Sequence, residues 1–194
     1  HYAVTHIEEL ADEFEKNVKA RGGHFFRAKD GDDVKKYMLQ ICKEQNVKRI
    51  VKSKSMASEE IHLNECFTEN GIHVRETDLG EWMLAVAGQK PSHMVMPAIH
   101  LNRQQCAGFF SHELKEEIPP DIPFMISTAR RVLREEFLSA DMGITGANFG
   151  IAENGAIGLV TNEGNARLVT TLPRIHVVLI GYEKLIPKIE DAAQ

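Results

Sequence analysis

The sequence predicts an α/β protein with a mostly parallel, open sheet flanked by helices and a late hairpin or mixed element. Two observations lead to this fold class. Between residues 5 and 138, segments with apolar residues at helical spacing alternate with short apolar runs typical of strands. After Asp141 the alternation stops, and two short apolar runs flank Asn154-Gly155, a dipeptide that favours a type I′ hairpin turn. We expect one domain from 194 residues.

The first part of the chain is predicted to alternate regularly. Gly22-Gly23 and Gly71 are expected to end helices, and Thr77-Asp78 to cap one. The predicted elements are a helix over 7–18, an extended run over 24–28, a helix capped by Asp32 or Asp33, a strand over 48–52, a helix from about 58 to 70, a strand over 72–76 and a short helix over 79–86.

The second part is predicted to change character. A Pro119-Pro120 break separates two longer helices, and Gly181 follows a strand. The predicted elements are a strand over 93–97, helices over 102–117 and 123–138, hairpin strands over 151–153 and 156–161, and a buried final strand over 175–180.

Composition excludes several classes of function. A formal charge of −5 with interspersed signs gives no basic surface for nucleic acid, and no apolar stretch reaches the roughly 20 residues of a membrane span. The amphipathic beginning does not resemble a signal peptide. Cys42, Cys66 and Cys106 are dispersed without a C-x-x-C motif, so they predict reduced thiols in the cytoplasm, no bound metal and no cofactor in this chain.

Candidate site residues follow the predicted strands, because ligands of open α/β sheets bind at the carboxyl ends of the strands. Lys52 with Lys54 and Ser55 could bind an anion at a helix N-terminus, or form a solvated basic turn. Glu76 and Asp78, with Glu81 nearby, could bind a metal or share a proton, although Asp78 alone would be explained as a helix cap.

The segment from Asp141 to His176 is the strongest candidate, since it combines glycines with amides, hydroxyls, carboxylates and an arginine. Its 161–165 loop could be a tight turn, but Arg167 and Thr171 follow and offer donors for a carboxylate or phosphate. There is no G-x-G-x-x-G after a strand, no P-loop and no G-x-S-x-G motif. The sequence therefore does not favour nucleotide binding or serine hydrolysis.

Several short motifs occur in a recognisable order. They are Lys52-Ser-Lys-Ser-Met56, Glu76-Thr-Asp-Leu-Gly-Glu81, Pro91-Ser-His93, Pro97-Ala-Ile-His100, Gly143-Ile-Thr-Gly-Ala-Asn148, Ala152-Glu-Asn-Gly155, Thr161-Asn-Glu-Gly-Asn165 and Thr171-Leu-Pro173. From about residue 23 to 190 the sequence resembles the lactate-utilisation (LUD) domain family, in the version found in iron–sulfur proteins.

The resemblance implies a cytoplasmic role in oxidising L-lactate to pyruvate together with other lactate-utilisation subunits. It implies a fold similar to the ribose-phosphate isomerase, glucosamine-phosphate deaminase and CoA-transferase group. It also implies that the chain is a fragment, with [4Fe–4S] clusters in a C-terminal region that it lacks. Some of those isomerases have an acid where this chain has Asn148, and an amide cannot act as a general base.

The leading hypothesis is a LUD domain that binds a small carboxylate or phosphorylated metabolite. Its expected catalytic residues are Glu153, Glu163 and His100, and its expected substrate-binding residues are Lys52, Ser55, Glu76, Asp78, Asn148, Asn162, Asn165, Arg167 and Thr171. Two alternatives stay open: a non-catalytic assembly module, and an isomerase or transferase acting on a sugar phosphate or CoA thioester. Whether the domain is itself an enzyme is left open.

Overall fold

A computed structural model describes residues 5–93, 96–161 and 163–193. Its main sheet contains β1 (Arg49–Lys52), β2 (His73–Glu76), β3 (Met142–Thr145) and β6 (Ile175–Val178). The order is β2-β1-β3-β6, and every neighbouring pair is parallel. This confirms the predicted α/β class. Because all four strands run the same way, their carboxyl ends lie together at one end of the sheet.

A second, mixed sheet confirms the predicted late element. It contains β4 (Phe149–Ile151), β5 (Ala156–Gly158) and β7 (Leu185–Ile186), in the order β5-β4-β7. The β4–β5 hairpin is antiparallel, and β4 pairs with β7 in parallel. The predicted turn type is wrong, however. Four residues, 152–155, separate the paired positions, and of the two central residues proposed for a type I′ turn only Gly155 has a positive φ.

Helices cover the main sheet, and four of the eight described helices begin at side-chain caps that the sequence supplies. Asp78 Oδ1 accepts the Glu81 N–H at 3.1 Å, and Asn102 forms a reciprocal capping box with Gln105. The helices described are α1 (Ile7–Ala20), α2 (Gly31–Glu44), α3 (Met56–Glu60), α4 (Leu63–Glu69), α5 (Leu79–Ala87), α6 (Arg103–Leu114), α7 (Ile122–Ser139) and α8 (Asn165–Thr171), with 3-10 turns at Tyr182–Lys184 and Ile189–Ala193.

Four apolar clusters hold these layers together, the smallest of them formed by Val51, Phe137 and Val169. Met38, Ile50 and Phe67 belong to the cluster between the main sheet and helices α2 and α4. A second cluster joins α5, α6 and α7 around Trp82, which meets Phe110 edge to face at 5.1 Å between ring centroids. The third attaches α1 to the second sheet. Packed helices therefore hold the main sheet in place.

The beginning of the chain differs from the prediction in three places. Residues 24–28 form no strand. Helix α2 is capped by Asp30, whose side chain accepts the Asp33 N–H at 2.8 Å, and not by Asp32 or Asp33. The helix predicted up to residue 70 is two short helices, because His62 takes a left-handed conformation with φ 53°.

Later segments also differ. The predicted strand over 93–97 includes Met94 and Val95, which lie outside the described residues, while residues 93, 96 and 97 lie in bends and a turn. Where a loop and a turn were expected, residues 165–171 form helix α8. Strand β6 is not the final strand, since β7 follows it, and its four residues are only partly buried.

Asp141 joins the start of β3 to β1. Its Oδ2 accepts the backbone N–H groups of Lys48 at 2.8 Å and Arg49 at 3.1 Å, and its Oδ1 lies 3.9 Å from Arg174 Nε. The Lys48 N–H bond is the main cause that lowers the pKa of Asp141; burial opposes it, and the Arg49 N–H and the Arg174 charge add to it.

This pKa shift predicts an acid-sensitive contribution to stability. A carboxyl whose folded pKa is lowered stabilises the fold above its unfolded pKa of about 4 and loses that contribution as pH falls through the folded pKa. We therefore expect Asp141→Asn to be less stable than the wild type at pH 7, with the gap closing towards pH 2. Urea unfolding at fixed pH values measures this, and a gap independent of pH contradicts it.

Candidate functional site

The carboxyl ends of β1 and β2 carry a buried ion pair. Lys52 and Glu76 are register partners in the parallel ladder, so both side chains leave the sheet at the same level. Lys52 is 0% exposed and Glu76 is 8% exposed, and Lys52 Nζ lies 2.8 Å from Glu76 Oε1. Lys52 Nζ also donates to Ser58 Oγ at 3.0 Å. A fully buried lysine requires such partners, because an unpaired buried charge is strongly unfavourable.

Three further ionisable residues extend this pair into what we call the charged cluster: Lys52, Lys54, Glu59, Glu76 and Glu81. Lys54 Nζ lies 2.7 Å from Glu81 Oε1. Burial raises the pKa of Glu59, and the Glu81 charge raises it further against the opposing effects of Lys52 and Lys54. Three carboxyls thus face two ammonium groups, an arrangement in which one carboxyl holds a proton more readily than it would in water.

Several acceptor atoms in and beside the charged cluster lack hydrogen-bond partners. Among the described residues, none donates to buried Glu59 Oε1, Glu76 Oε2 or Asn64 Oδ1. The amide nitrogen of Asn64 is occupied, since it donates to Glu76 Oε1 at 2.6 Å. Buried acceptors without donors are unfavourable. A molecule that bound here would therefore have to present hydrogen-bond donors, such as hydroxyl groups.

The residues after β2 connect the charged cluster to helix α8. Thr77 Oγ1 donates to the Lys52 carbonyl at 2.9 Å, and Asn165 Nδ2 donates to Thr77 Oγ1 at 3.2 Å. The Asn165 side chain is thereby held next to the residue that follows β2. Asp78 acts as the cap of α5, which was the plainer of its two predicted roles.

Glu163 lies beside the first turn of α5. Loss of solvent raises its pKa, and the Asp78 charge adds to this, although the residue remains well exposed. Glu163 also lines an apolar groove of about 360 Å³ with Met83 of α5, Cys106 of α6 and Met125 of α7. A carboxyl with a raised pKa beside an apolar surface is suited to proton exchange.

Ser55 and the turn after β3 lie against each other. Ser55 is buried at the start of α3, and a Cβ added at Gly146 would lie 3.1 Å from Ser55 Oγ. Gly146 therefore allows Ser55 of the same chain, rather than a ligand, to pack closely against the backbone. Buried Thr145 at the end of β3 has its Oγ1 2.9 Å from His176 Nε2, and burial lowers the pKa of His176.

Asn148 and Glu153 form hydrogen bonds within and beside the second sheet. Asn148 Oδ1 accepts the Val160 N–H at 2.8 Å and so closes the β4–β5 hairpin. Glu153 Oε1 accepts the Ile189 N–H at 3.1 Å, which ties the hairpin turn to the last 3-10 turn. Both side chains support the second sheet, and within the described ranges neither forms a hydrogen bond or ion pair with the charged cluster.

The remaining predicted residues are also dispersed. The His100 ring contacts Ser92 Oγ and Gln89 Oε1, each at 2.7 Å, in the loop after α5. Thr171 Oγ1 donates to the Arg167 carbonyl within α8. The Arg167 side chain is exposed and has no ion-pair or hydrogen-bond partner in the part of the chain that the structure describes. Asn162 lies outside the described residues.

Sequence reasoning missed Glu59 and Asn64. Both belong to the short helices α3 and α4, and a Glu59-Glu60 pair looks like an ordinary solvated helix surface. One signal was present. Asn64 and Phe67 are three residues apart on α4, and Phe67 is fully buried, so Asn64 lies next to the buried face of its helix.

Metal-binding chemistry is not apparent in the described ranges, where no group of three or more His, Cys, Asp or Glu residues is placed to hold an ion. The three cysteines lie on different helices, α2, α4 and α6, and burial raises the pKa of the Cys42 thiol to about 11. The residues present therefore do not fit an iron–sulfur cluster. Among the described residues, no helix is long and apolar enough to cross a membrane.

Comparison with known proteins gives a consistent result. The profile of the LUD domain family matches residues 11–194. Lactate utilization protein B of Macrococcus caseolyticus is 44% identical over 98% of this chain and 40% of its own length. The protein of the same name from Bacillus subtilis is 40% identical, with the same two coverages.

A further relative carries a different name. The uncharacterized electron transport protein YkgF of Escherichia coli is 41% identical over 96% of this chain and 39% of its own length. The chain thus spans about two-fifths of the curated relatives it matches. No solved structure matches it.

Proposed function

Because the chain belongs to the LUD domain family, we propose that it is a domain of a lactate-utilisation protein that takes part in oxidising L-lactate to pyruvate. The relatives named for lactate utilisation support this assignment. In the same proposal the protein is cytoplasmic and works with other lactate-utilisation subunits.

The proposed reaction releases two electrons and two protons from lactate. The described residues offer carboxyls for the protons, and among them the cysteines form no cluster site for the electrons. We assign the electrons to [4Fe–4S] clusters in a region of the longer protein outside residues 1–194. The name of the electron transport relative is consistent with this division.

The role proposed for this domain is to bind a small hydroxy acid or a related anion at the carboxyl end of the main sheet. The observation that carries the proposal is the buried Lys52–Glu76 pair with its unpartnered Glu76 oxygen. The substrate hydroxyl would donate to the free acceptors of the charged cluster. Exposed Arg167 would attract the carboxylate, as a guanidinium without a protein partner can.

Thermal unfolding with added ligand tests this function. L-Lactate at ten times its Kd is expected to raise the Tm by roughly 3–5 °C. Pyruvate lacks the hydroxyl donor and is expected to raise it less. Arg167→Ala is expected to weaken the response, whereas Arg130→Ala, which removes another exposed arginine on α7, should leave it unchanged.

Other outcomes have definite meanings. A response to sugar phosphates or CoA thioesters without one to lactate would favour an isomerase or transferase. If the wild-type domain responds to none of these compounds, the ligand-binding role is wrong. Retained lactate oxidation by a full-length protein with Glu163 and Arg167 both substituted would then favour an assembly module.

A further inference from the structure

Strand β6 has the sequence of a central strand but the position of an edge strand. Residues 175–180 read Ile-His-Val-Val-Leu-Ile, a nearly continuous apolar run. Such runs are typical of parallel strands buried between neighbours. In the described chain, however, β6 pairs only with β3, and each of its four residues is only partly buried. The sequence of β6 thus predicts a neighbouring strand on its outer side, and residues 5–93, 96–161 and 163–193 do not form one.

The backbone of β6 presents unpaired groups on its outer side. The N–H groups of Ile175 and Leu179 donate to carbonyls at Asp141 and Thr145, so these alternate positions face β3. The intervening residues, His176 and Val178, direct their N–H and C=O groups outward. No described residue forms a hydrogen bond with those four backbone groups. Unpaired groups of this kind form a template for an added strand.

A groove of about 770 Å³ runs along this edge. Its lining includes all of β6, residues 23–28 and apolar side chains of helices α1 and α2, among them Phe14, Val18, Tyr37 and Met38. Ile157 of the second sheet contributes as well. The lining is therefore suited to a segment with apolar side chains, and the unpaired backbone requires that segment to be extended.

The edge also lacks the features that keep exposed strands from pairing. Natural edge strands carry lysine, proline or a bulge at outward positions. Residues 175–180 contain neither lysine nor proline, and the register with β3 runs through four consecutive pairs without a bulge. Left uncovered, this run would be an aggregation site, so the physical chemistry favours a permanent cover over open solvent.

We propose that an extended segment of the longer polypeptide, outside residues 1–194, lies in this groove and pairs with β6 as a fifth strand of the main sheet. The matched relatives are long enough to contain such a segment, since the match covers 40% of their length and leaves 60% (100 − 40) outside it. A segment of the same chain is present at a high effective concentration and requires no second protein. The inference does not depend on the proposed lactate chemistry.

Amide hydrogen exchange on the full-length protein, resolved to single residues, tests the proposal without any substitution. The N–H groups of Val177 and Leu179 face β3 and serve as internal references. We expect His176 and Val178 to be protected within about tenfold of these references at every protein concentration. Fast exchange at His176 and Val178 beside protected references overturns the proposal. Protection that appears only at high protein concentration also overturns it, because it indicates pairing with a second copy. Protection that appears only when another lactate-utilisation subunit is added overturns it as well.

A substitution provides an independent measurement. Val178→Pro removes an outward N–H and leaves the hydrogen bonds to β3 in place, whereas Val177→Pro removes an inward one. In the full-length protein Val178→Pro is expected to speed exchange at least tenfold in one segment beyond residue 194 or before residue 1. Val177→Pro should instead destabilise β3 and β6 together. If Val178→Pro changes exchange only inside residues 1–194, no external strand covers β6.

Discussion

Lys52→Met is expected to lower the free energy of unfolding by about 3–5 kcal/mol. The substitution keeps an unbranched side chain, shorter by one atom, but leaves Glu76, which is 8% exposed, without its counter-ion. Urea unfolding at pH 7 measures the loss. The size of this effect comes from the remaining buried carboxylate and not from an intrinsic strength of the pair.

Two comparisons make the result specific. The double variant Lys52→Met with Glu76→Gln has no buried charge at these positions and is expected within about 2 kcal/mol of the wild type. Lys35→Met removes the half-buried partner of exposed Asp32, 2.8 Å away on α2, and is expected to cost less than about 1 kcal/mol. A Lys52→Met loss as small as that of Lys35→Met would show that Glu76 is solvated and that the charged cluster is not buried.

Gly143→Ala is expected to destabilise the fold by about 3 kcal/mol. A Cβ added at Gly143 would lie 2.0 Å from the carbonyl oxygen of Val169, and because that atom belongs to the backbone of α8, the helix itself would have to move. The glycine therefore allows α8 to pack on β3, and its role is not the close approach of a ligand. Displacing α8 should also weaken the contact of Asn165 with Thr77.

Gly108→Ala is the matched control for this prediction. Gly108 lies inside helix α6, and an added Cβ there meets nothing within 4 Å. Replacing glycine by alanine in an open helical position is expected to stabilise by about 0.5–1 kcal/mol. Thermal unfolding should thus shift in opposite directions for the two variants. Equal shifts would mean that α8 tolerates a side chain at position 143.

The alternating part of the fold could be predicted because its signals are local. Strand β1 and helix α1 follow from apolar spacing alone, and both lie within a few residues of their predicted bounds. Helix α8 could not be predicted in this way. It is seven residues long, begins at Gly164 without a side-chain cap and contains Thr170 and Thr171, which are poor helix formers. Its stability comes from Ala166 and Val169, which are buried, and that contact exists only once the sheet has formed.

The candidate site was predictable to the extent that strand register determines it. Lys52 and Glu76 end neighbouring parallel strands, so the rule about carboxyl ends brings them together. The same rule gives no information about Glu153, because the chain leaves the main sheet after β3 and enters the second one. Glu59 reaches the charged cluster from a five-residue helix whose direction depends on the break at His62. The orientation of such a short helix depends on tertiary contacts, and these give no periodic pattern in the sequence.

The order of strands also determines when each part of the main sheet can form during synthesis. Ile50 of β1 pairs on one side with Val74, 24 residues later (74 − 50), and on the other with Met142, 92 residues later (142 − 50). At roughly 5–20 residues per second of synthesis, the second side of β1 waits roughly 5–20 s for its neighbour. During that interval β1 and β2 can form only a two-stranded unit, which is marginal in water. The nascent chain is then at its most vulnerable, and helices α2 and α4, which pack on the main sheet in the folded protein, are already synthesised and can cover these strands.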